Sequence, residues 1–216
     1  MQKVQGRTRL GAVAVAVGIL AFGAGFTSLA LGQTIVDEWA SVKAPPPPEL
    51  KSVPIGNPQE TALLMLDFLK QNCPPRPRCL ASLPKVQRLL TQARGKGIHV
   101  VHSLAGQSVT DILPEVAARA GEPVVSSGPD KYLNTDLEKI LKEKGIKTVI
   151  VVGTAAEGAV LNTASQSALR GFKVIVPVDG MSSVTTYAEQ YTAWHLANSP
   201  RIGAQVTLTR TDLIGH

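Results

Sequence analysis

The chain has 216 residues, 44% of them hydrophobic, with two cysteines and a formal net charge of +6. This length and apolar content fit one globular domain with a sizeable core and some additional sequence. Lys3, Arg7 and Arg9 supply half of the net charge. The charge on the rest of the chain is therefore too small to indicate nucleic acid as a partner.

The additional sequence lies at the amino terminus. An apolar run from Leu10 to Leu31 follows the three basic residues and ends in the small residues Ser28-Leu29-Ala30 and Ala30-Leu31-Gly32. This order is typical of a secretory signal peptide with a cleavage site. Because the run could also span a tilted bilayer, an uncleaved anchor is the alternative, and only then would the protein contact a membrane. We predict that residues 1–32 direct export, to a periplasmic location.

Residues 33–58 are rich in proline and include the run Pro45-Pro46-Pro47-Pro48. Consecutive prolines favour an extended segment without internal hydrogen bonds. We therefore predict a spacer that connects the export segment to a domain formed by residues 59–216.

Within that domain, strand and helix patterns alternate. Apolar runs bounded by turn residues predict strands at 61–66, 98–103, 148–152 and 173–178 and an edge strand at 204–208. Helices are predicted to start at Ser82, at the capping boxes Thr135–Glu138 and Thr186–Glu189, and after Gly153. Residues 105–134 have no regular pattern apart from a short helix at 113–120. This alternation predicts an α/β fold with three layers, α-β-α, around a parallel sheet.

Several polar or glycine-rich positions follow directly after the predicted strands. Asp67, Ser103, the turn at Gly153 and Asp179 all lie at carboxyl ends of strands. In open parallel sheets these ends face one edge, where ligands bind. We expect Asp179 to cap its own loop, and we expect Tyr191 and Trp194 to make core or interface contacts.

Two charged residues and one turn are candidates for chemistry. Asp67 follows a wholly apolar strand, a setting that suits a general acid or base, although a strand-end Asp can equally cap a loop or form a salt bridge. Lys131 lies in a turn-rich loop before a helix, where a solvated surface lysine is the alternative. The small residues from Gly153 to Ala164 would let a ligand approach a helix amino terminus, or they form an ordinary tight turn.

Taken together, these segments resemble the isochorismatase-like hydrolases, which include nicotinamidases and other cysteine amidohydrolases. The resemblance covers about residues 60–210. It rests on Leu66-Asp67-Phe68, on Lys131 ahead of Leu133-Asn134-Thr135-Asp136-Leu137, and on a turn that runs from Val151-Val152-Gly153 to Thr163-Ala164. It implies a six-stranded parallel sheet and a catalytic Asp, Lys and Cys at its edge. Asp67 and Lys131 match the first two, and Ala159 occupies the cysteine position.

Alanine at that position removes the nucleophile, since only a thiolate could form the covalent intermediate with an amide. The resemblance leaves Thr154, Ala155 and Gly158 as substrate-binding backbone. Isochorismatases of this family that lack the cysteine protonate a vinyl ether with the Asp. We therefore expect hydrolysis of a small anionic metabolite with Asp67 as general acid. The alternatives are a catalytically silent member that binds a small molecule or protein, and a structural subunit that forms homo-oligomers.

The two cysteines, Cys73 and Cys79, lie on the loop after Asp67. An exported protein meets an oxidising compartment, so we predict a disulfide between them, with a displaced catalytic thiol as the alternative. Arg76 and Arg78 on this loop could favour an anionic ligand or could be solvated. The histidines 99, 102 and 195 are scattered, so we expect neither a metal site nor a cofactor.

Overall fold

The computed structural model describes residues 34–215, so the predicted export segment lies outside the described residues. Between residues 34 and 215, no helix is both long enough and apolar enough to cross a bilayer. Among these residues, 34–44 and those from Pro45 onward belong to two different units. The first contains the short helix α1 and the 3-10 turn Trp39–Ser41, and its apolar residues Ile35, Val36, Trp39 and Val42 are exposed.

The second unit has an alternating order of strands and helices. The strands are β1 Thr61–Leu66, β2 His99–Leu104, β3 Val124–Ser126, β4 Thr148–Thr154, β5 Lys173–Pro177, β6 Met181–Ser182 and β7 Val206–Thr209. The helices are α1 Ile35–Glu38 in the first unit, and α2 Pro77–Gly95, α3 Leu137–Glu143, α4 Leu161–Leu169 and α5 Thr186–Asn198 in the second.

All strand pairs in the sheet are parallel, in the order β3-β2-β1-β4-β5-β7. The expected six-stranded path is present, and the short β6 adds a seventh strand by pairing with the end of β4. β7 is an edge strand, as its alternating sequence predicts. The predicted fold, a three-layer parallel α/β sheet, is confirmed.

The two faces of the sheet are covered by different helices because side chains along a strand alternate between faces. Leu64 and Leu66 of β1 pack in one core cluster, which includes residues of α3, α4 and α5. Leu63 and Met65 pack in the other, which includes the apolar face of α2. Both clusters are almost fully buried, so hydrophobic burial on the two faces stabilises the central strands.

The structure corrects the prediction for residues 105–134. They contain β3, which the sequence pattern does not indicate, and the predicted helix at 113–120 is only the 3-10 turn Pro114–Val116. β3 has three residues, too few for a pattern of alternation, and it forms by pairing with the end of β2.

The structure also moves three predicted helix starts. α2 begins at Pro77, so Ser82 lies inside the helix, buried, and its Oγ donates to the carbonyl of Cys79 at 2.8 Å. Proline suits this first position because its missing N–H is not needed there. α5 is capped by Thr185, whose Oγ1 accepts from the N–H of Ala188. At α3, Asp136 is the cap residue, and neither predicted capping box forms.

Two further features concern the surface and the spacer. Tyr191 and Trp194 on α5 are 40% and 45% exposed, so they lie at the surface and not in the core. Ahead of residue 59, the backbone of Lys51 and Val53 donates to the carbonyls of Leu208 and Leu213. Domain contacts therefore extend into the proline-rich segment.

Candidate functional site

Asp67 stands at the end of β1, in the middle of the sheet. Its preceding residue, Leu66, pairs with Ser103 of β2 on one side and with Gly153 of β4 on the other. The backbone of Asp67 has a φ of 55°, in the left-handed region that Asp tolerates better than most residues. The chain therefore leaves the strand sharply at this residue, beside the ends of two neighbouring strands.

The Asp67 carboxylate has one charged partner and one polar partner. Lys131 Nζ lies 2.8 Å from Oδ2, and Ser103 Oγ donates to Oδ1 at 2.7 Å. The same Ser103 hydroxyl accepts the N–H of Asp67 at 3.2 Å. The sequence places Ser103 at this edge of the sheet, but only the structure shows that it orients Asp67.

Lys131 is wholly buried, which is rare for lysine without a partner. Besides Asp67, its Nζ donates to the carbonyls of Leu104 and Ser127, at 3.1 and 2.9 Å. Its own N–H donates to Thr163 Oγ1 of α4 at 3.3 Å. All three ammonium hydrogens thus have acceptors, and the head group is held in one position.

The neighbouring Tyr132 anchors the same loop. Its hydroxyl forms a 2.8 Å hydrogen bond with Ser167 of α4, and the Arg170 guanidinium lies 4.3 Å from its ring centre. Burial raises the pKa of Tyr132 to about 12, although the Ser167 hydrogen bond and Arg170 oppose this effect. Tyr132 therefore remains a neutral structural contact that fixes the loop carrying Lys131 against α4.

The turn that begins at Gly153 requires glycine for a steric reason. A Cβ at this position would lie 2.5 Å from both the Cβ and the carbonyl oxygen of Leu66. Thr154 follows at the end of β4, buried, and the peptide bond between Thr154 and Ala155 is cis. The close approach of β4 to β1 thus brings the turn directly beside Asp67.

The remaining predicted positions lie on a π-helical turn, Ala156–Val160, that continues into α4. Ala159 is buried in the core cluster that also contains Leu66 and Tyr132. The N–H of Gly158 already donates to the carbonyl of Ala155 at 3.1 Å. Gly158 can therefore leave space for a ligand because it has no side chain, but its N–H is already bonded within the turn.

Two buried hydroxyl groups beside this turn were not predicted. Ser182 pairs with Thr154 through β6, and Ser183 follows it. Within the described residues, neither Oγ has a hydrogen-bond partner, although both side chains are buried. Buried hydroxyls without partners are uncommon, so these two are polar groups beside the turn that no intramolecular contact accounts for. In the sequence, only the position of Ser182 and Ser183 shortly after a predicted strand could have indicated them as site residues.

Asp179 was placed at the same edge, but it does not join Asp67. Its carboxylate accepts from the N–H and Oγ1 of Thr211, at 2.8 and 3.1 Å, and forms an ion pair with Lys85 at 3.3 Å. Asp179 therefore holds the start of the 3-10 turn Thr211–Leu213 after β7, whereas the sequence predicted that it caps its own loop. Arg78 lies in the first turn of α2 and not on the predicted loop, and it is also paired, because its Nε donates to Glu189 of α5 at 2.8 Å.

The structure joins Cys73 and Cys79 in a disulfide at the start of α2. Both cysteines are fully buried, and Cys79 lies in the first turn of the helix. We predict that titration of the denatured, unreduced protein finds no free thiol, and that reduction lowers the free energy of unfolding by about 2 kcal/mol, since the closed loop is short. Two reactive thiols would instead support a displaced nucleophile.

His102 of β2 belongs to a network of charged side chains that is separate from the Asp67 site. Its Nε2 lies 2.9 Å from Glu122 Oε2, and Arg94 donates to both carboxylate oxygens, at 2.7 and 2.8 Å. Burial lowers the pKa of His102, and the hydrogen bond that its ring donates to Glu122 partly opposes this shift. Burial alone would raise the pKa of Glu122, but Arg94, the N–H of Arg119 and His102 lower it to about 2.

This network predicts a pH-dependent contribution to stability. Because the pKa of Glu122 falls from 4.5 to about 2 on folding, its contribution is complete above pH 4.5 and is lost as the pH falls toward 2. At neutral pH, Glu122→Gln should lower the free energy of unfolding by about 1–2 kcal/mol, a value reduced by solvent screening. Urea unfolding of both proteins across this range measures the difference. A difference that stays constant down to acid pH would contradict the assignment.

Comparison with known proteins identifies the domain. Residues 61–211 match the family model of the isochorismatase domain. The solved structure of an isochorismatase-like hydrolase from Alkaliphilus metalliredigens has a TM-score of 0.63 and 27% identity, and the match covers 71% of this chain and 95% of that one. The family match from the sequence and the similarity in fold thus point to the same family.

Two related proteins are similar to this chain in sequence. A secreted isochorismatase effector from Verticillium dahliae is 34% identical over 113 residues, which are 47% of this chain and 60% of the relative. The chain thus spans less than two thirds of that protein. A maleamate amidohydrolase from Pseudomonas putida is 26% identical over 153 residues, which are 56% of this chain and 72% of the relative. The resemblance drawn from the sequence motifs is confirmed: this chain belongs to the isochorismatase family of hydrolases.

Proposed function

We propose that this protein hydrolyses a small anionic metabolite, with Asp67 as the general acid and without a cysteine nucleophile. The observation that carries the proposal is the arrangement of Asp67, Lys131 and Ser103 at the carboxyl edge of the sheet, with alanine at position 159. Asp67 would protonate the vinyl ether carbon of the substrate, and water would add to the resulting oxocarbenium ion and return a proton to Asp67. The hemiacetal formed in this way would then break its C–O bond and release an alcohol and a carbonyl compound. Lys131 and Ser103 would stabilise the carboxylate that remains.

The same arrangement supports an anionic substrate. When Asp67 carries its proton, Lys131 is left with an uncompensated positive charge in a buried position. A negative group on the substrate would balance that charge, because an unpaired buried charge is costly. The unpartnered hydroxyls of Ser182 and Ser183 would supply hydrogen-bond donors close to Thr154.

A second candidate is a silent family member that binds a small molecule or a protein partner without turnover. The observation in its favour is burial: the Asp67 side chain is 7% exposed and the Lys131 side chain is not exposed. Such a pair can serve as a structural contact. A panel of anionic vinyl ethers, amides and esters separates the two candidates. Turnover above background supports the acid catalyst, and its absence across the panel supports the silent member.

Restoring the thiol tests whether position 159 belongs to the same site. We predict that Ala159→Cys creates amidase activity absent from the natural protein, because in the proposed site a thiol on the turn Ala156–Val160 would act together with the Asp67–Lys131 pair. Ala164→Cys is the matched control, since Ala164 is also buried, on the adjoining α4. Hydrolysis of the amides in the panel is measured for both. If both variants stay equally inert, position 159 does not share a site with Asp67.

We also propose that the protein is exported. The basic start and apolar run of residues 1–32 support this, and so does the relative from Verticillium dahliae, which is a secreted effector. Amino-terminal sequencing of protein from fractionated cells tests the proposal. We expect a mature chain that begins near residues 31–33 outside the cytoplasm, and an intact Met1 in the soluble cytoplasmic fraction would contradict export.

A further inference from the structure

We propose that the cavity at the amino-terminal edge of the sheet is a second binding site, for a small organic carboxylate with an apolar body. The cavity has a volume of about 390 Å³, within the range of small-molecule sites. It is lined by residues at the starts of three strands. Ile98 precedes β2 and His99 begins it, Pro123 precedes β3, and Ile146 precedes β4. Asp67 lies at the other end of these strands, so this cavity is separate from the site of the proposed hydrolysis.

The floor of the cavity is apolar. Ile140 and Pro123 line it and are half-buried, so they supply most of the apolar surface open to a ligand, whereas Ile98, Val101, Leu141 and Ile146 also line it but are almost fully buried. A ligand with an aromatic or branched aliphatic body could cover this surface and gain hydrophobic stabilisation. An inorganic anion has no apolar surface to place there.

The charged groups around this floor leave an excess of positive charge. Glu122 is the lining carboxylate, and Arg94 neutralises it through two hydrogen bonds. Arg119 and Lys144 also line the cavity, and both are exposed. Across residues 34–215, no ion pair joins either of them to a carboxylate. Two cations over an apolar floor favour an organic anion and disfavour a cation or a metal ion.

The backbone around Arg119 is held in place, so the site does not need to form on binding. The N–H of Arg119 donates to Glu122 Oε2 at 2.9 Å, and the N–H of Glu122 donates to the carbonyl of Arg119 at 3.0 Å. Between them, Gly121 has a φ of 86°, which glycine adopts without strain. The loop that carries one cation is thus fixed to the network that neutralises Glu122.

Benzoate is a suitable probe, and benzamide is its uncharged counterpart of nearly equal shape. Binding to the full protein is followed by nuclear magnetic resonance, with the amide signals of Gly97, Gly121 and Glu122 reporting on the cavity. We expect saturable benzoate shifts at these amides and binding of benzamide weaker by about tenfold or more. Equal binding of both compounds, no saturable shift, or shifts confined to the surroundings of Asp67 would each overturn the proposal.

The variant Arg119→Ala/Lys144→Ala should weaken benzoate binding at these amides by about tenfold or more. Arg88→Ala/Lys139→Ala is the matched control, because it removes the same charge from exposed residues that do not line the cavity. An equal loss in the control would show a general charge effect and refute the site. Asp67→Asn should leave these shifts unchanged, so failure of the proposed hydrolysis and failure of this site are distinguishable.

Discussion

Asp67→Asn is expected to reduce turnover by about 10²–10⁴-fold, because the amide has nearly the shape of the carboxyl group but cannot donate its proton to the substrate. Asparagine also tolerates the left-handed backbone that Asp67 adopts, at a φ of 55°. The turn at the end of β1 should therefore persist. Steady-state kinetics on a substrate found in the panel measure the loss, and equilibrium binding of that substrate should change much less than the rate.

The Asn variant leaves Lys131 buried without its anionic partner, so loss of folding must be separated from loss of catalysis. The double variant Asp67→Asn/Lys131→Met removes both charges and serves this purpose, since pairs of buried charges can be replaced together more easily than singly. A double variant that is inactive but still folded, as shown by a cooperative thermal transition, would support the assignment of Asp67 as the general acid. Undiminished turnover in folded Asp67→Asn would show that another group supplies the proton.

Lys131→Met alone is expected to lower the free energy of unfolding by about 3–5 kcal/mol. Methionine fills much of the same volume, but it leaves the buried Asp67 carboxylate and the carbonyls of Leu104 and Ser127 without the donor they share. The cost arises because an unpaired charge and unsatisfied acceptors remain in a region that water hardly reaches.

Urea unfolding compares this variant with Lys142→Met, a matched control on α3. Lys142 forms an ion pair with Glu138 at 2.6 Å, but its side chain is 66% exposed, so its loss should cost about 0.5 kcal/mol or less. A double-mutant cycle with Asp67→Asn should also show strong coupling between Asp67 and Lys131. Equal costs for the two lysines would mean that the pair contributes little to stability.

The sequence by itself determined the class of fold and the place of the candidate site. The run Ala62-Leu63-Leu64-Met65-Leu66 predicts β1 with its observed end, because a strand covered on both faces needs apolar residues at consecutive positions. The alternation of such runs with helices requires a parallel sheet, and Asp67 then lies at its ligand-binding edge. The motif from Gly153 onward, with Asp67 and Lys131, indicated the family.

Other features were decided only by the tertiary structure. β3 has three residues and exists through its pairing with β2, and α2 starts at Pro77, ahead of the predicted Ser82. Taken alone, Lys131 fits an exposed loop, whereas in the fold it is buried against Asp67. Ser103 is 36 residues from Asp67 in the chain and Glu122 is 20 from His102. Local patterns specify which face of an element is apolar, but partners so distant in sequence depend on strand register and loop paths, which form only when the whole core packs.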